Sequence, residues 1–436
     1  MAPARLLQYG ALMHMKTLWV CVLGVSFGVA GCGGGGGGNG DSDAGGDPID
    51  SGNMGVDGTV VSPDGGTTID AGIPRGPVLT QLVVGEKLSC AVLNDGTGKC
   101  WGDNREGRFG NGNKTSNKVP QPISGLTSIK QLSIGYDHAC AAMVDGTARC
   151  WGKNTNGSLG DNSATERLTP VPVMGLTDVK SIHAGMWTTC ALTNAGNVFC
   201  WGRGGNLGDT TVTDSQIPKQ VTTLSNVIQM SVAFNSGRSS NMHACGVRMN
   251  NTAFCWGAND VGQLGQNNQN PSRVPVDVMG ITDALEITAG GGHACARRTS
   301  GLSCWGFGSY TGDGNNVQDL VPVAVMTTAA NVAAIGAGND HTLTRTTAGG
   351  LLCWGRGANG QCMDSAAFTP SGPQYLMPIT ATPTGITLFA AGGTHSCVYV
   401  PASSVTYCSG TNEYGEIGSG TPSSLFRTAV PTPVEW

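Results

Sequence analysis

The chain has 436 residues, of which 12% are charged and 69 are glycine, with a formal net charge of -5. Charged residues stand at roughly half, and glycine at about twice, the usual share. That balance disfavours long surface helices and favours strands joined by turns. The charge is mild and no basic stripe stands out, so nucleic acid is not an expected partner.

Residues 1–31 read as an export signal. Lys16 precedes an apolar stretch, Thr17 to Ala30, followed by Gly31-Cys32. A positive residue, a short apolar run and small residues before a cut site mark a signal peptide. The run is too short to span a bilayer comfortably. Met15-Lys16 would make a compact signal by itself. Val29-Ala30-Gly31-Cys32 resembles the lipobox of bacterial lipoproteins. The resemblance implies cleavage before Cys32, lipid on its sulfur, and an extracytoplasmic protein held at the bacterial outer membrane or cell surface. A plain secretory signal with an incidental cysteine is the competing reading.

Residues 32–76 read as a tether. Gly33 to Gly38 lead into a stretch with Asp41, Asp43, Asp47, Asp50, Asp57, Asp64 and Asp70, opposed only by Arg75. Such a segment has too little apolar area to offset the entropy of ordering, so it is expected to be disordered. As a flexible chain it would reach roughly 35 Å. Asp41-x-Asp43 begins like an EF-hand loop, but the terminal bidentate glutamate is missing; a solvated spacer is expected, not a calcium site.

Residues 77–436 are periodic. Cys-Trp-Gly ends at Gly102, Gly152, Gly202, Gly257, Gly306 and Gly355, with tryptophans 49 to 55 residues apart. A fixed period of that size signals a repeat architecture. The second copy serves as template: Gly135-Tyr-Asp-His138-Ala-Cys140, then Asp145-Gly146, then Cys150-Trp151-Gly152, Asn154, Gly157, Leu159, Gly160 and Val171-Pro172-Val173. Short apolar runs between Asp-Gly, Asn-x-x-Gly and Pro signals read as strands and tight turns. Four strands per copy are expected.

This pattern resembles the regulator-of-chromosome-condensation repeat, over about residues 78 to 436 in seven copies. The last is degenerate, with Cys408-Ser409-Gly410 in place of Cys-Trp-Gly. The resemblance implies an all-β fold, a seven-bladed β-propeller of four-stranded blades. The run Val430 to Val434 reads as a strand that lacks its final neighbour, and Val78 to Val84 matches the missing one. The ring is therefore expected to close by pairing of the N-terminal and C-terminal strands.

Cys21 lies in the signal and Cys32 at the lipid site. Twelve of the other 14 cysteines form short-range pairs: Cys90 with Cys100, Cys140 with Cys150, Cys190 with Cys200, Cys245 with Cys255, Cys295 with Cys304, and Cys397 with Cys408. Each flanks a predicted hairpin turn, where opposed residues fall within disulfide reach, and an exported chain lives where disulfides persist. One pair per copy spreads the sulfurs too widely for zinc. In the sixth copy Leu343 replaces the first cysteine. Cys353 and Cys362 are then either a seventh disulfide or a pair of free thiols.

His138, His243, His293, His341 and His395 recur at one repeat position. A residue present in most copies serves the copy more readily than an asymmetric active site. Gly355 to Gly360 matches G-x-G-x-x-G, yet it is one instance of the turn after tryptophan and opens no helix. No catalytic, metal or cofactor site is expected, and no enzyme. The loops that differ between copies point elsewhere: Glu86-Lys87, Tyr136-Asp137, Met186-Trp187, Asn339-Asp340 and Gly393-Thr394. Tyr136, Asp137, Met186, Trp187, Asn339 and Asp340 are the candidate binding residues, since aromatics on a polar rim suit a recognition hot spot. Ala233 to Met242 adds a longer polar loop on the same face. The expected function is a monomeric, lipid-anchored binding module for a protein or glycan. Guanine nucleotide exchange, implied by the family resemblance, and secreted enzyme inhibition, by likeness of fold, are the alternatives.

Overall fold

The computed structural model describes residues 76–233, 242–327, 331–364, 374–420 and 427–436. Cys32, the signal, nearly all of the tether and most of the 233–242 loop lie outside the described residues. Twenty-eight strands form seven four-stranded antiparallel sheets, and a single 3-10 turn, Gly308–Tyr310, is the only described helix. The sheets cover residues 79–122, 129–172, 179–220, 227–277, 284–324, 332–381 and 388–433, here blades 1 to 7. In each blade the first strand faces the first strands of both neighbours, so seven inner strands ring a hub.

The second strand of a blade is buried along its whole length, as in Leu88–Leu93, His138–Met143 and Thr188–Thr193. Sheets covered on both faces need continuous apolar or small residues, which accounts for runs such as LSCAVL. The inner strand alternates instead, with Leu132 and Ile134 packed between blades and Gln131 toward the hub. The core is thus a set of interblade layers.

One sequence expectation is corrected. The N-terminal strand, Leu79–Val84, does not pair with the C-terminal strand. It pairs with Leu88–Leu93 inside blade 1, while Arg427–Pro433 is the outer strand of blade 7. Every blade is contiguous in sequence. The reason is repeat phase: the His-x-Cys strand bonds to the inner strand before it and the Cys-Trp-Gly strand after it, so Val179–Ala184 opens blade 3 instead of closing blade 2.

The ring closes by the contacts that join every other pair of blades. Each repeat tryptophan is fully buried, and its indole Nε1 donates to a carbonyl in the loop of the preceding blade: Trp151 to Arg108, Trp201 to Ser158, Trp256 to Asn206, Trp305 to Gln263 and Trp354 to Tyr310. Trp101 does the same to Glu416 of blade 7 at 2.9 Å. Blade 7 lacks the tryptophan, and there Ser409 Oγ donates to Gly360 O. Gly160 approaches Trp201 so closely, at φ +69, that a Cβ would lie 2.7 Å from Nε1, which fixes glycine there.

A second interblade device joins the inner strands. The Gln131 amide bridges to the next inner strand, accepting from Ile182 N at 2.7 Å and donating to Ile182 O at 2.9 Å. Gln81 clamps Leu132, and Gln229 clamps Ile287, in the same way. The side chain stands in for a strand partner where two edges diverge. Gln131→Ala is expected to cost about 1–3 kcal/mol, because both Ile182 groups lose their partner. An unchanged denaturation midpoint would contradict it.

Six disulfides cross from the second strand of a blade to the third, between residues directly opposed in register. They join Cys90 to Cys100, Cys140 to Cys150, Cys190 to Cys200, Cys245 to Cys255, Cys295 to Cys304, and Cys397 to Cys408, with Cα atoms 4.0–4.1 Å apart. Cys353 and Cys362 form a seventh disulfide of another kind. Leu343 holds the place opposite Cys353, so that sulfur turns instead to the loop after its own strand, and the bond ties the third strand of blade 6 to that loop. Each bond closes a short loop, worth at most about 3 kcal/mol in the chain-entropy picture.

Candidate binding face

The recurring histidines are structural. His138, His293, His341 and His395 are fully buried. Their Nε2 atoms meet Thr189, Thr342, Ser396 and Ser89 of the next blade at 2.7–2.8 Å. Thr189 gives its own proton to Ser158 O at 2.8 Å, so His138 must be the donor and carries its hydrogen on Nε2. Blades 1 and 3 carry Leu88 and Thr188 at the histidine position, and the blades that follow them carry Ala139 and Ala244 at the hydroxyl position. Burial pushes these four imidazoles down to about 3.

The loops between first and second strands, and those between third and fourth, share one face of the ring. The Asp-Gly hairpin turns occupy the other. On the loop face the candidate residues divide. Tyr136 and Trp187 are half-buried, whereas Asp137, Met186, Asn339 and Asp340 are buried. The first-to-second loops turn inward, because their backbones bond blade to blade: Tyr136 N donates to Gly185 O, Gly291 N to Asn339 O, Asn339 N to Gly392 O, and Gly393 N to Gly85 O. Asn339 and Asp340 sit in blade 6, bonded to blades 5 and 7, away from the other four. The structure thus brings Asp137 and Trp187 together and places Asn339 and Asp340 elsewhere on the face, where the rim backbone joins the blades.

Blades 2 and 3 do converge on a cleft. Asp137, Lys153, Thr155, Asn156, Ser158 and Trp187 line a cavity of ≈ 140 Å³. Lys153 Nζ lies 3.4 Å from Asp137 Oδ2 and 3.9 Å from Glu106 Oε2. Asn156 Nδ2 donates to Asp214 Oδ2 at 2.7 Å. The Arg203 guanidinium stands 4.4 Å from the Trp187 ring centre. Beneath, Arg108 holds the Tyr136 loop, donating to Tyr136 O at 2.8 Å while paired with Asp103 at 3.1 Å. Burial raises the Asp103 carboxyl, but Arg105 and Arg108 outweigh it and hold the group below the usual range. Burial lowers Arg108 in turn.

The sequence missed Lys153, Thr155, Asn156, Ser158 and Arg203. The available signal was the turn after Trp-Gly, whose variable residues lie on the same face as the first-to-second loops. Among the described residues no group of three or more His, Cys, Asp or Glu could hold a metal ion.

The repeat geometry has counterparts. A family model described as regulator of chromosome condensation (RCC1) repeat matches residues 100–142, 145–192 and 250–297, and a second RCC1 repeat model matches 129–158 and 332–361. RCC1 repeats are thus found over residues 100–192, 250–297 and 332–361 of the ring. Among curated relatives of this RCC1-repeat propeller, the probable E3 ubiquitin-protein ligase HERC4 of Rattus norvegicus is 26% identical over 218 residues, 48% of this chain and 20% of its own length. The ultraviolet-B receptor UVR8 of Arabidopsis thaliana is 29% identical over 171 residues, 36% of each. The match thus spans about a fifth of the ligase and about a third of the receptor.

Two solved structures share the fold. Yeast RCC1 (Prp20), bound to Kap60, superposes with a TM-score of 0.66 at 20% identity, covering 86% of this chain and 91% of its own. A further structure of Prp20p from Saccharomyces cerevisiae, studied with its binding to Gsp1p and histones, gives 0.64 at 22% identity over 83% and 88%. At such identities the likeness carries the fold and no residue roles.

Proposed function

We propose that this RCC1-repeat propeller is a lipid-anchored extracytoplasmic interaction module. It presents its loop face to a protein or glycan. One observation carries the reading. The described chain begins at Gly76 on the hairpin-turn face, where Gly76 N donates to Ser404 O at 3.0 Å. The cleft of blades 2 and 3 lies on the opposite face. A tether joined at Gly76 would therefore enter on the face opposite the cleft and leave the cleft free for a partner. Seven disulfides suit an oxidising compartment and support export. Binding of Prp20p to Gsp1p and histones supports a ring of this build as a platform for protein partners.

Two measurements test the reading. Cys32→Ser is expected to move the full chain from the membrane to the soluble fraction, and an unchanged membrane fraction would remove the anchor. A photo-crosslinker placed at exposed Thr155 of the loop face is expected to capture a partner on intact cells, while one at exposed Val144 of the hairpin-turn face captures none. Equal capture from both would remove the face assignment. A small GTPase or a secreted enzyme caught at Thr155 would select nucleotide exchange or enzyme inhibition instead.

A further inference from the structure

The cleft between blades 2 and 3 carries a more specific reading, which rests on the interaction-module proposal. We infer that it holds one neutral pyranose residue of a glycan.

Size comes first. A cavity of ≈ 140 Å³ lies well under the ~300–1,000 Å³ of pockets for drug-sized ligands. At ~30 Å³ per water it has room for a few waters or a single six-membered ring. The walls are of two kinds. Trp187 supplies an aromatic ring, and Arg203, which takes no part in the lining, holds its guanidinium 4.4 Å from the centre of that ring. The remaining walls bring a carboxylate, an ammonium, an amide and two hydroxyls from Asp137, Lys153, Asn156, Thr155 and Ser158. A pyranose has the same division, with an apolar C–H face and a rim of hydroxyls.

Charge decides against an ionic ligand. Asp137 is matched by Lys153, Lys153 also approaches Glu106, and Asn156 is bonded to Asp214. A sulfate would have to take Lys153 from Asp137 and leave that buried carboxylate uncompensated, and an arginine side chain would have to compete with Lys153 for it. A sugar hydroxyl donates to Asp137 and accepts from Lys153 at once, so both charges keep a partner.

The cleft is also built before a ligand arrives. Ser158 O accepts from both Trp201 Nε1 at 2.9 Å and Thr189 Oγ1 at 2.8 Å. Lys153 N donates to Asp137 O at 3.0 Å, and Tyr136 N joins the two blades through Gly185 O at 3.1 Å. Preorganisation of this kind lowers the cost of binding. The site is single in the ring: at the position of Trp187 the other blades carry Lys87, Asp137, Met242, Gly292, Asp340 and Thr394.

The test is calorimetry and saturation-transfer NMR of the full chain with the methyl glycosides of glucose, galactose, mannose and N-acetylglucosamine, followed by a glycan array. Binding of at least one neutral glycoside is expected. Trp187→Ala should weaken it by about tenfold or more, Trp187→Phe should restore part of it, and Asp137→Asn should weaken it while the melting temperature stays near that of the parent. Three results would each overturn the inference: no neutral sugar bound, binding insensitive to Trp187→Ala in a folded variant, or preference for sulfated or arginine-bearing ligands. A protein crosslinked from Thr155 whose capture no neutral sugar reduces would overturn the glycan while leaving the interaction module in place. No capture from Thr155 would count against the module itself.

Discussion

Replacing Trp101 by alanine is expected to cost about 3–5 kcal/mol, the range for deleting a buried tryptophan, and to loosen the ring at its closing seam. Trp101 is fully buried, donates to Glu416 O at 2.9 Å, and meets the Trp436 ring edge-on at 5.6 Å. Glu416 O keeps a second donor, Ser89 Oγ at 3.1 Å, so the loss is mainly of packing. Leu79, Leu82, Tyr399 and Ile417 share that layer, and a cavity there separates the first blade from the last. Because blades stabilise one another through neighbours, the effect should appear first as faster amide exchange in blades 1 and 7. Against a whole-domain stability of about 5–15 kcal/mol, the change is large. Trp201→Ala, at an interior seam, should cost a similar amount but leave blades 1 and 7 protected. A Trp101→Ala protein that denatures like the parent, with unchanged exchange at both ends, would dismiss the indole as the clasp of the ring.

Acid should unfold the propeller well above the pH at which ordinary carboxylates titrate. His138, His293, His341 and His395 are held down to about 3 by burial, against about 6.5 in an unfolded chain. Nε2 of each faces a hydroxyl, while Nδ1 is buried without an acceptor, so a second proton would have nowhere to bond. Between pH 6.5 and 3 the unfolded state binds more protons. The stabilisation from neutral imidazole is therefore complete above 6.5 and is lost as the pH falls, at about 1.4 kcal/mol per unit for each histidine. Two carboxyls act oppositely, the buried Glu416 and the half-buried Asp319. Burial raises Glu416 to about 7 and Asp319 to about 6, so folding takes up protons there, and their contribution grows with acidification until the unfolded carboxyls also protonate. Glu416 offsets about one of the four histidines and Asp319, screened by solvent, less than one, so the net loss is about 3–4 kcal/mol per pH unit below about 6. Glu416→Gln removes one opposing carboxyl and should steepen the acid limb while raising stability at neutral pH. A melting temperature flat from pH 7 to pH 4.5 in the parent would refute the assignment of these histidines as neutral interblade donors.

What the sequence made legible follows from local rules. Cys-Trp-Gly, Asp-Gly and Asn-x-x-Gly each fix a turn or a strand by chemistry within a few residues, so strand count, blade number and six of the disulfides could be read directly. Cys353 and Cys362 could not, because that pair joins a strand to a loop and no periodic rule sets its geometry. Closure was misread for a related reason. Periodicity gives the length of a repeat and not its starting strand, and only hydrogen-bond register shows that Leu79–Val84 belongs with Leu88–Leu93. The glutamine clamps recur at Gln81, Gln131 and Gln229 and were visible as a position, but their role depends on how far apart neighbouring inner strands lie. At the candidate site, Trp187 stood out because it breaks the series. Lys153, Asn156 and Ser158 reach it from another blade across a seam that no linear motif spans. Met186, Asn339 and Asp340 differ between copies as recognition residues would, yet they are buried, and Asn339 lies in a backbone joint between blades.

The uninterrupted order of strands within each blade has a consequence for topology. Gly76 bonds to Ser404 in the last blade and lies against Trp436, so both ends of the ring meet at one seam, closed by the same tryptophan bond as five of the other six. Nothing in the hydrogen-bonding plan privileges that seam as the place where the backbone must be cut. A circular permutant joined there and reopened at Gly175, whose Cβ direction is empty, should fold into the same wheel with every cystine in place.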